Sequence, residues 1–143
     1  MEYYEAETDI AAPPDVVWPI LLDGAGYTGW DSGVEQVEDT IADGAKIRVF
    51  SSVSPGRAFP VQVAIDQAGG RMTWTGGMPM GMFTGERTFT VNPTDEGCHF
   101  KMREEYTGPM LRFIWKSIPD LGPSFQQFVG GLKAAAEALA AET

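Results

Sequence analysis

Arg87, Glu104 and Tyr106 are the side chains of this sequence whose types and spacing could do chemistry. Residues 85–91 and 98–106 read as a β-hairpin, separated by the turn signal Asn92-Pro93-Thr94-Asp95-Glu96-Gly97. Side chains alternate between the two faces of a strand. Arg87 therefore shares a face with Phe89 and Val91, and Glu104 and Tyr106 share one with Cys98, Phe100 and Met102. Both charges fall on faces that are otherwise apolar. Burying either alone is costly, and pairing lowers that cost. One reading is a structural ion pair at the end of the sheet. The other is a polar anchor on the floor of a pocket, suited to a ligand carboxylate or carbonyl.

The remaining reactive residue types lack partners. His99 is the single histidine and alternates out of phase with the apolar set, beside Lys101 and Arg103. It is expected to face solvent, with no second His or Cys nearby to complete a metal site. Cys98 is the single cysteine and points inward, which suits a small core residue better than a nucleophile. Ser51, Ser52 and Ser54 have no His-Asp set. No Gly-x-Gly-x-x-Gly, phosphate loop or nucleophile elbow is present. Neither metal nor cofactor is expected.

The elements that must position these residues follow from periodicity. Residues 4–10 alternate, with Tyr4, Ala6, Thr8 and Ile10 opposite Glu5, Glu7 and Asp9. Pro13-Pro14 ends that strand and opens a helix whose buried stripe is Val17, Trp18, Leu21 and Leu22. Asp23-Gly24 stops it, and residues 25–30 read as one further turn. Strands are expected at 34–38, 46–53, 60–67 and 71–75, then the hairpin. Residues 76–85 read as a loop with four glycines and three methionines. Such a loop could gate a cavity mouth, plug the sheet end or pack in a dimer. Leu111, Ile114, Trp115 and Ile118 form a short helical stripe, and Phe125, Phe128, Val129, Leu132, Ala136 and Leu139 a long one. Within the latter, Gly130-Gly131 implies close packing against a strand or room for a ligand. Consecutive strands with tight turns imply an antiparallel meander.

The chain has 143 residues, 43% of them apolar, enough for one domain spanning 1–143 with a full core. Its 20 acidic and 10 basic side chains give a net charge of −10. Nucleic-acid partners are not expected, because phosphate contacts need clustered Lys and Arg. One cysteine excludes an internal disulfide. There is no apolar run of the roughly 20 residues that span a membrane, so stable membrane insertion is not expected. The opening Met1-Glu2-Tyr3-Tyr4-Glu5 does not read as a secretory signal, and a cytoplasmic location is the expectation.

The segment running from Asp9-Ile10 through Ala12-Pro13-Pro14-Asp15, Val17-Trp18 and Leu21-Leu22-Asp23 to Tyr27 and Trp30, with the element order behind it, resembles the START-like (SRPBCC) superfamily. This is the helix-grip group of polyketide cyclase/dehydrase-like, lipid-transfer and Bet v 1-like proteins. The resemblance covers nearly the whole chain. It implies an α+β fold: a curved antiparallel sheet of about six or seven strands around a long C-terminal helix, with two short helices after strand 1. It also implies a cavity between sheet and helix for a small hydrophobic molecule of lipid, isoprenoid or aromatic polyketide type. The residues expected to line it are Trp30, Met72, Trp74, Met80, Met82, Phe83, Arg87, Phe89, Met102, Glu104, Tyr106, Phe125, Phe128, Val129 and Leu132. A cyclase/dehydratase-like enzyme using the same pocket is the alternative. There Arg87 would stabilise an enolate oxygen, Glu104 act as base and Tyr106 as donor. A third reading is a protein-interaction or chaperone-activator-like module, with Leu111, Trp115 and the methionine loop as an exposed patch. Trp115 on a short helix also leaves a homodimer open.

Overall fold

The computed structural model describes residues 1–142; Thr143, the last residue of the expected domain, lies outside them. The strands are β1 (Glu2–Ile10), β2 (Val34–Glu38), β3 (Lys46–Ser51), β4 (Ala58–Asp66), β5 (Arg71–Met78), β6 (Phe83–Thr94) and β7 (Gly97–Thr107). Helix α1 (Pro14–Leu22) and a 3-10 turn (Gly24–Gly29) follow β1. Helix α2 (Leu111–Ile114), a short 3-10 turn (Trp115–Ser117) and helix α3 (Gly122–Ala141) end the chain. One seven-stranded sheet runs in the order β1-β7-β6-β5-β4-β3-β2. Every neighbouring pair is antiparallel. β1 and β2 therefore occupy opposite edges, and α1 with its 3-10 turn carries the chain between them. This is the α+β helix-grip architecture, a curled half-barrel closed on α3. No described helix is long and apolar enough to cross a membrane.

Local chemistry sets these elements. Pro14 stands in the first turn of α1, where its missing N–H is not needed, and Asp15 suits the positive end of the helix. Asp23 caps the following turn, accepting from the Gly26 N–H at 3.1 Å. Tyr27 is fully buried, and its hydroxyl donates to the Leu21 carbonyl at 2.6 Å. That bond satisfies one of the carbonyls a helix end leaves open. Phe125, Phe128, Val129, Leu132 and Ala136 bring one face of α3 onto the sheet, as their spacing predicts.

Two expectations change. The ten-residue loop 76–85 is mostly strand: Gly76 pairs with Gly85, Gly77 with Thr84 and Met78 with Phe83. Only Pro79–Met82 form the turn. Gly77 has φ +137, and a Cβ there would lie 2.1 Å from the Phe83 carbonyl oxygen. Glycine is required here for close strand pairing, which local composition alone reads as looseness. The Gly130-Gly131 pair does not face a strand either. A Cβ on Gly131 would lie 2.0 Å from the backbone oxygen of Asp31, so α3 packs against the exit of the first 3-10 turn. Gly130 is exposed and meets nothing within 4 Å.

The convex face is polar. His99 points outward, as expected, with Nδ1 2.7 Å from Asp9 and Nε2 3.0 Å from Glu7. Arg103 bridges Glu5 and Glu105 at 2.9 and 2.8 Å. These contacts tie the edge strand β1 to β7.

Two outcomes follow from this packing. Gly130→Ala should stabilise by about 0.5–1 kcal/mol, since glycine is a poor residue in an exposed helix interior. Gly131→Ala should cost about 1–3 kcal/mol through overpacking; urea unfolding of both variants tests the pair. His99 provides a pH test. The carboxylates of Asp9 and Glu7 raise its pKa above the ordinary 6.5. A raised folded pKa means the contact stabilises fully below 6.5 and loses that contribution as pH rises through the folded value. The stability gap between wild type and His99→Gln should therefore be largest near pH 6 and shrink toward pH 8, within about 1 kcal/mol for so exposed a group. A gap that grows with pH would contradict this geometry.

Candidate functional site

The concave face carries one cross-strand row made of Val63, Trp74, Arg87, Glu104 and Tyr4. The register places Arg87 directly opposite Glu104, and Arg87 Nε donates to Glu104 Oε1 at 2.7 Å. Both side chains are about one-fifth exposed, 21% and 18%. That bond leaves the two terminal guanidinium nitrogens out of it. The guanidinium also lies 4.8 Å from the ring centre of Phe125, reached from α3. Such a cation over an aromatic face is held by the ring quadrupole.

The next row outward is Gly76, Gly85, Tyr106 and Glu2. Of the two adjacent glycines, Gly76 closes against β4, where a Cβ would lie 2.6 Å from the Pro60 carbonyl oxygen, and Gly85 faces the Tyr106 ring, 3.6 Å from where its Cβ would stand. A Cβ on Gly85 would stand 3.3 Å from Glu104 Oε2, the oxygen that Arg87 Nε does not use. Tyr106 is 4% exposed and Trp74 is 3% exposed; Trp74 Nε1 is buried without a hydrogen-bond partner, and Tyr106 Oη, which closes no hydrogen bond of good geometry, lies near the Glu104 carboxylate. Burial, reinforced by the Glu104 carboxylate, pushes the Tyr106 phenol well above its ordinary range. At any physiological pH it is a neutral donor. A buried donor without a partner costs about 1–3 kcal/mol. The concave face thus carries a guanidinium bonded to a carboxylate, with one buried donor, Trp74, opposite Arg87 and another, Tyr106, one row outward.

The expected lining residues separate into groups. Trp74, Phe83, Arg87, Glu104, Tyr106 and Phe125 surround the polar cluster; Phe83 stacks on Tyr106 with ring centres 6.2 Å apart. Met72, Phe89, Met102, Phe128, Val129 and Leu132 lie deeper and are at most 2% exposed. Phe128 is at their centre, 5.9 Å from Phe89 and 6.4 Å from Phe100 between ring centres. That part of the grip is filled by side chains. Trp30 packs at the far side against Tyr27 and Phe128, with its indole nitrogen also unpartnered. Met80 and Met82 stand outside, exposed on the turn between β5 and β6. Leu111 turns inward, so the exposed apolar surface at this end is Met78, Met80, Met82 and Phe113 instead of Leu111 and Trp115. Cys98 is fully buried, and burial raises its thiol pKa, as fits a core residue.

Sequence reasoning missed Tyr4 and underused Trp115. Tyr4 stacks on Trp115 at 5.6 Å and meets Tyr106 edge-on at 6.3 Å. Trp115 lies 5.3 Å from Tyr106. The alternation of β1 put Tyr4 on the inner face, and that signal was available; its contact with a residue far along the chain was not. On the outer side of Trp115 opens a surface cleft of about 630 Å³, lined among others by Glu2, Gly108, Leu111, Arg112 and Lys116.

Comparison with known proteins agrees with this architecture. The sequence model of one family, described as polyketide cyclase / dehydrase and lipid transport, matches residues 1–137. The chain belongs to this family. No match was found among curated protein sequences. Among solved structures, TTHA0849 from Thermus thermophilus superposes with a TM-score of 0.71 at 24% identity, over 96% of this chain and 99% of that one. The Zhui aromatase/cyclase from Streptomyces sp. R1128 gives 0.71 at 16% identity, over 95% and 93%. One unit of the di-domain ARO/CYC BexL gives 0.71 at 16%, over 96% of this chain and 47% of that one. At these identities the likeness is one of fold. One family framework hosts different activities, and what this chain's cluster can do follows from the chemistry of its own residues.

The ion pair can be tested directly. Arg87→Met leaves a partly buried carboxylate unpaired and should cost about 2–3 kcal/mol, the lower end for such pairs because both are partly wetted. Arg87→Met combined with Glu104→Leu should recover most of that loss. Urea denaturation of the two single variants and the double variant reads the coupling; simple additivity would show the pair to be energetically idle.

Proposed function

We propose that this protein binds a small hydrophobic molecule that carries an acceptor oxygen, with the oxygen at Arg87, Tyr106 and Trp74 and the apolar body against Phe125, Phe83 and the side-chain-free backbone of Gly85. The observation that carries this is the pair of buried donors, Trp74 Nε1 without a partner and Tyr106 Oη closing no hydrogen bond of good geometry, beside a guanidinium with nitrogens to spare. A mostly apolar site with a few placed polar groups is the usual form of a small-molecule pocket. Lipid, isoprenoid and aromatic polyketide molecules all have this form, and the family includes lipid carriers and cyclases. Because the deep grip is filled, an occupant would take the outer part of the sheet, where the ion pair meets solvent.

A cyclase/dehydratase-type reaction in the same pocket is the second reading, favoured by Glu104 Oε2, which faces Gly85 and stays outside the Arg87 Nε bond. In that case Arg87 would stabilise developing enolate charge and Glu104 would take the proton from carbon.

The first test is mass spectrometry of freshly purified protein, native and after solvent extraction, followed by titration with an aromatic carboxylate and its neutral alcohol analogue. Arg87→Met should weaken the carboxylate by about tenfold or more, as loss of a charge-assisted hydrogen bond does, and change the alcohol little. Equal affinities of wild type and variant for both ligands would sink the anchor. Glu104→Gln and Tyr106→Phe separate the two readings: a carrier keeps most of its affinity, and an enzyme binds but stops turning over.

A further inference from the structure

The surface cleft and the buried cluster share one wall. Trp115 lines the cleft, stacks on Tyr4 and meets the Tyr106 ring in a tilted contact at 5.3 Å. Trp115 opens a three-residue 3-10 turn behind a four-residue helix. That segment is anchored at its start, where the Met110 N–H donates to the Met82 carbonyl at 2.9 Å, and it begins after Gly108 at φ +113. A Cβ on Gly108 would lie 2.5 Å from the Met82 carbonyl oxygen, so the start of the segment is fixed and its far end carries the tryptophan.

The charge of the cleft is the second observation. The protein carries a net −10, yet this cleft is lined by two cations, Arg112 and Lys116, and by one acid, Glu2. Neither cation is in an ion pair among the described residues. Arg112 stacks over Phe113 and Lys116 is exposed. A local positive field beside an apolar wall, in a molecule otherwise negative, concentrates anionic amphiphiles there.

We propose that the cleft is a docking site for an anionic amphiphile and the inlet to the pocket, with Trp115 as the movable wall between them. This rests on the pocket reading above. The acid or other anionic end meets Arg112 and Lys116 first, Trp115 swings off Tyr4 and Tyr106, and the ligand oxygen reaches Tyr106 and Arg87. A wall of this kind sets how fast ligands pass and has little effect on the depth of the bound state.

Stopped-flow fluorescence with two naphthalene probes, anionic anilinonaphthalene sulfonate and neutral N-phenylnaphthylamine, tests the assignment on the full chain. Trp115→Ala should speed association and release of both probes by similar factors, roughly fivefold or more, and leave Kd within about twofold. Trp115→Phe, which keeps an aromatic wall and guards against a folding defect, should shift both rates the same way by less. Arg112→Gln with Lys116→Gln should slow association of the sulfonate alone, and the difference should vanish at high salt. Unchanged rates in both Trp115 variants, or faster release with unchanged association, would overturn the inlet while leaving the pocket intact. Failure of wild type to bind either probe, together with an empty extract, would overturn the pocket reading and the inlet with it.

Discussion

A single helix must cover a sheet much wider than itself. Seven strands spaced about 4.8 Å apart would span roughly 29 Å if flat, while a helix with its side chains is only about 10–12 Å across. Twist curls the sheet around α3 and reduces the mismatch without removing it. Helix α3 lies mainly against β1, then against α1 and β7; α1 also lies against β6, and the first 3-10 turn lies against β2. The middle of the concave face is reached by long side chains instead of backbone: Phe128 from the helix, Trp74 and Phe89 from the sheet, and Tyr27 stacked on Trp74. The core is therefore a bridge of aromatic rings. The outer end of β5, β6 and β7, where the strands carry Gly76, Gly85 and Tyr106, lies beyond the reach of that bridge.

The polar cluster sits where the bridge runs out. Toward the sheet centre, Phe89, Met102 and Met72 fill the row behind the Arg87–Glu104 pair. Toward the open end, two glycines follow it. An ion pair in the first location would lose nearly all its hydration, and at the rim it would need none of the apolar neighbours. At the boundary it keeps some solvent, accepts a ring contact from Phe125 and stands next to Gly85, which has no side chain. Charged groups are tolerated in such partly wetted positions and can exchange partners there. The same boundary explains why Tyr106 is a neutral donor and not a base: its ring is enclosed by Phe83, Tyr4 and Trp115, and its hydroxyl lies near Glu104.

Much of this was legible in the sequence. Period-two alternation put Arg87, Glu104 and Tyr106 on one inner face, and the turn at 92–97 allowed Arg87 and Glu104 to meet; the observed register puts them opposite each other. The stripe from Phe125 to Ala136 read correctly as the gripping helix. Failure came where meaning depends on what arrives from elsewhere in the chain. The glycines of 76–85 read as a loop because glycine is permissive, yet at Gly76 and Gly77 the neighbouring strands leave no space for a side chain. Gly131 gave no sign that Asp31 would lie against it. Tyr4 and Trp115 are 111 positions apart in numbering and touch only because β1 closes on β7.

The likeness to aromatase/cyclases raises the question of chemistry, and the cluster's present bonding bears on it. Catalysis requires a group that interacts more strongly with the transition state than with the ground state. Glu104 already accepts a short bond from Arg87 through Oε1, so a proton taken from carbon would have to go to Oε2 while Arg87 stays in place. Arg87 would then oppose the protonation of its own partner. A bound anionic oxygen changes that balance only by drawing the guanidinium toward itself, which frees the carboxylate at the moment charge develops on the ligand. A carrier needs no such exchange: its ligand oxygen can use Tyr106, Trp74 and the spare guanidinium nitrogens with the ion pair intact. The binding reading thus leaves the ion pair intact, whereas the turnover reading requires it to open.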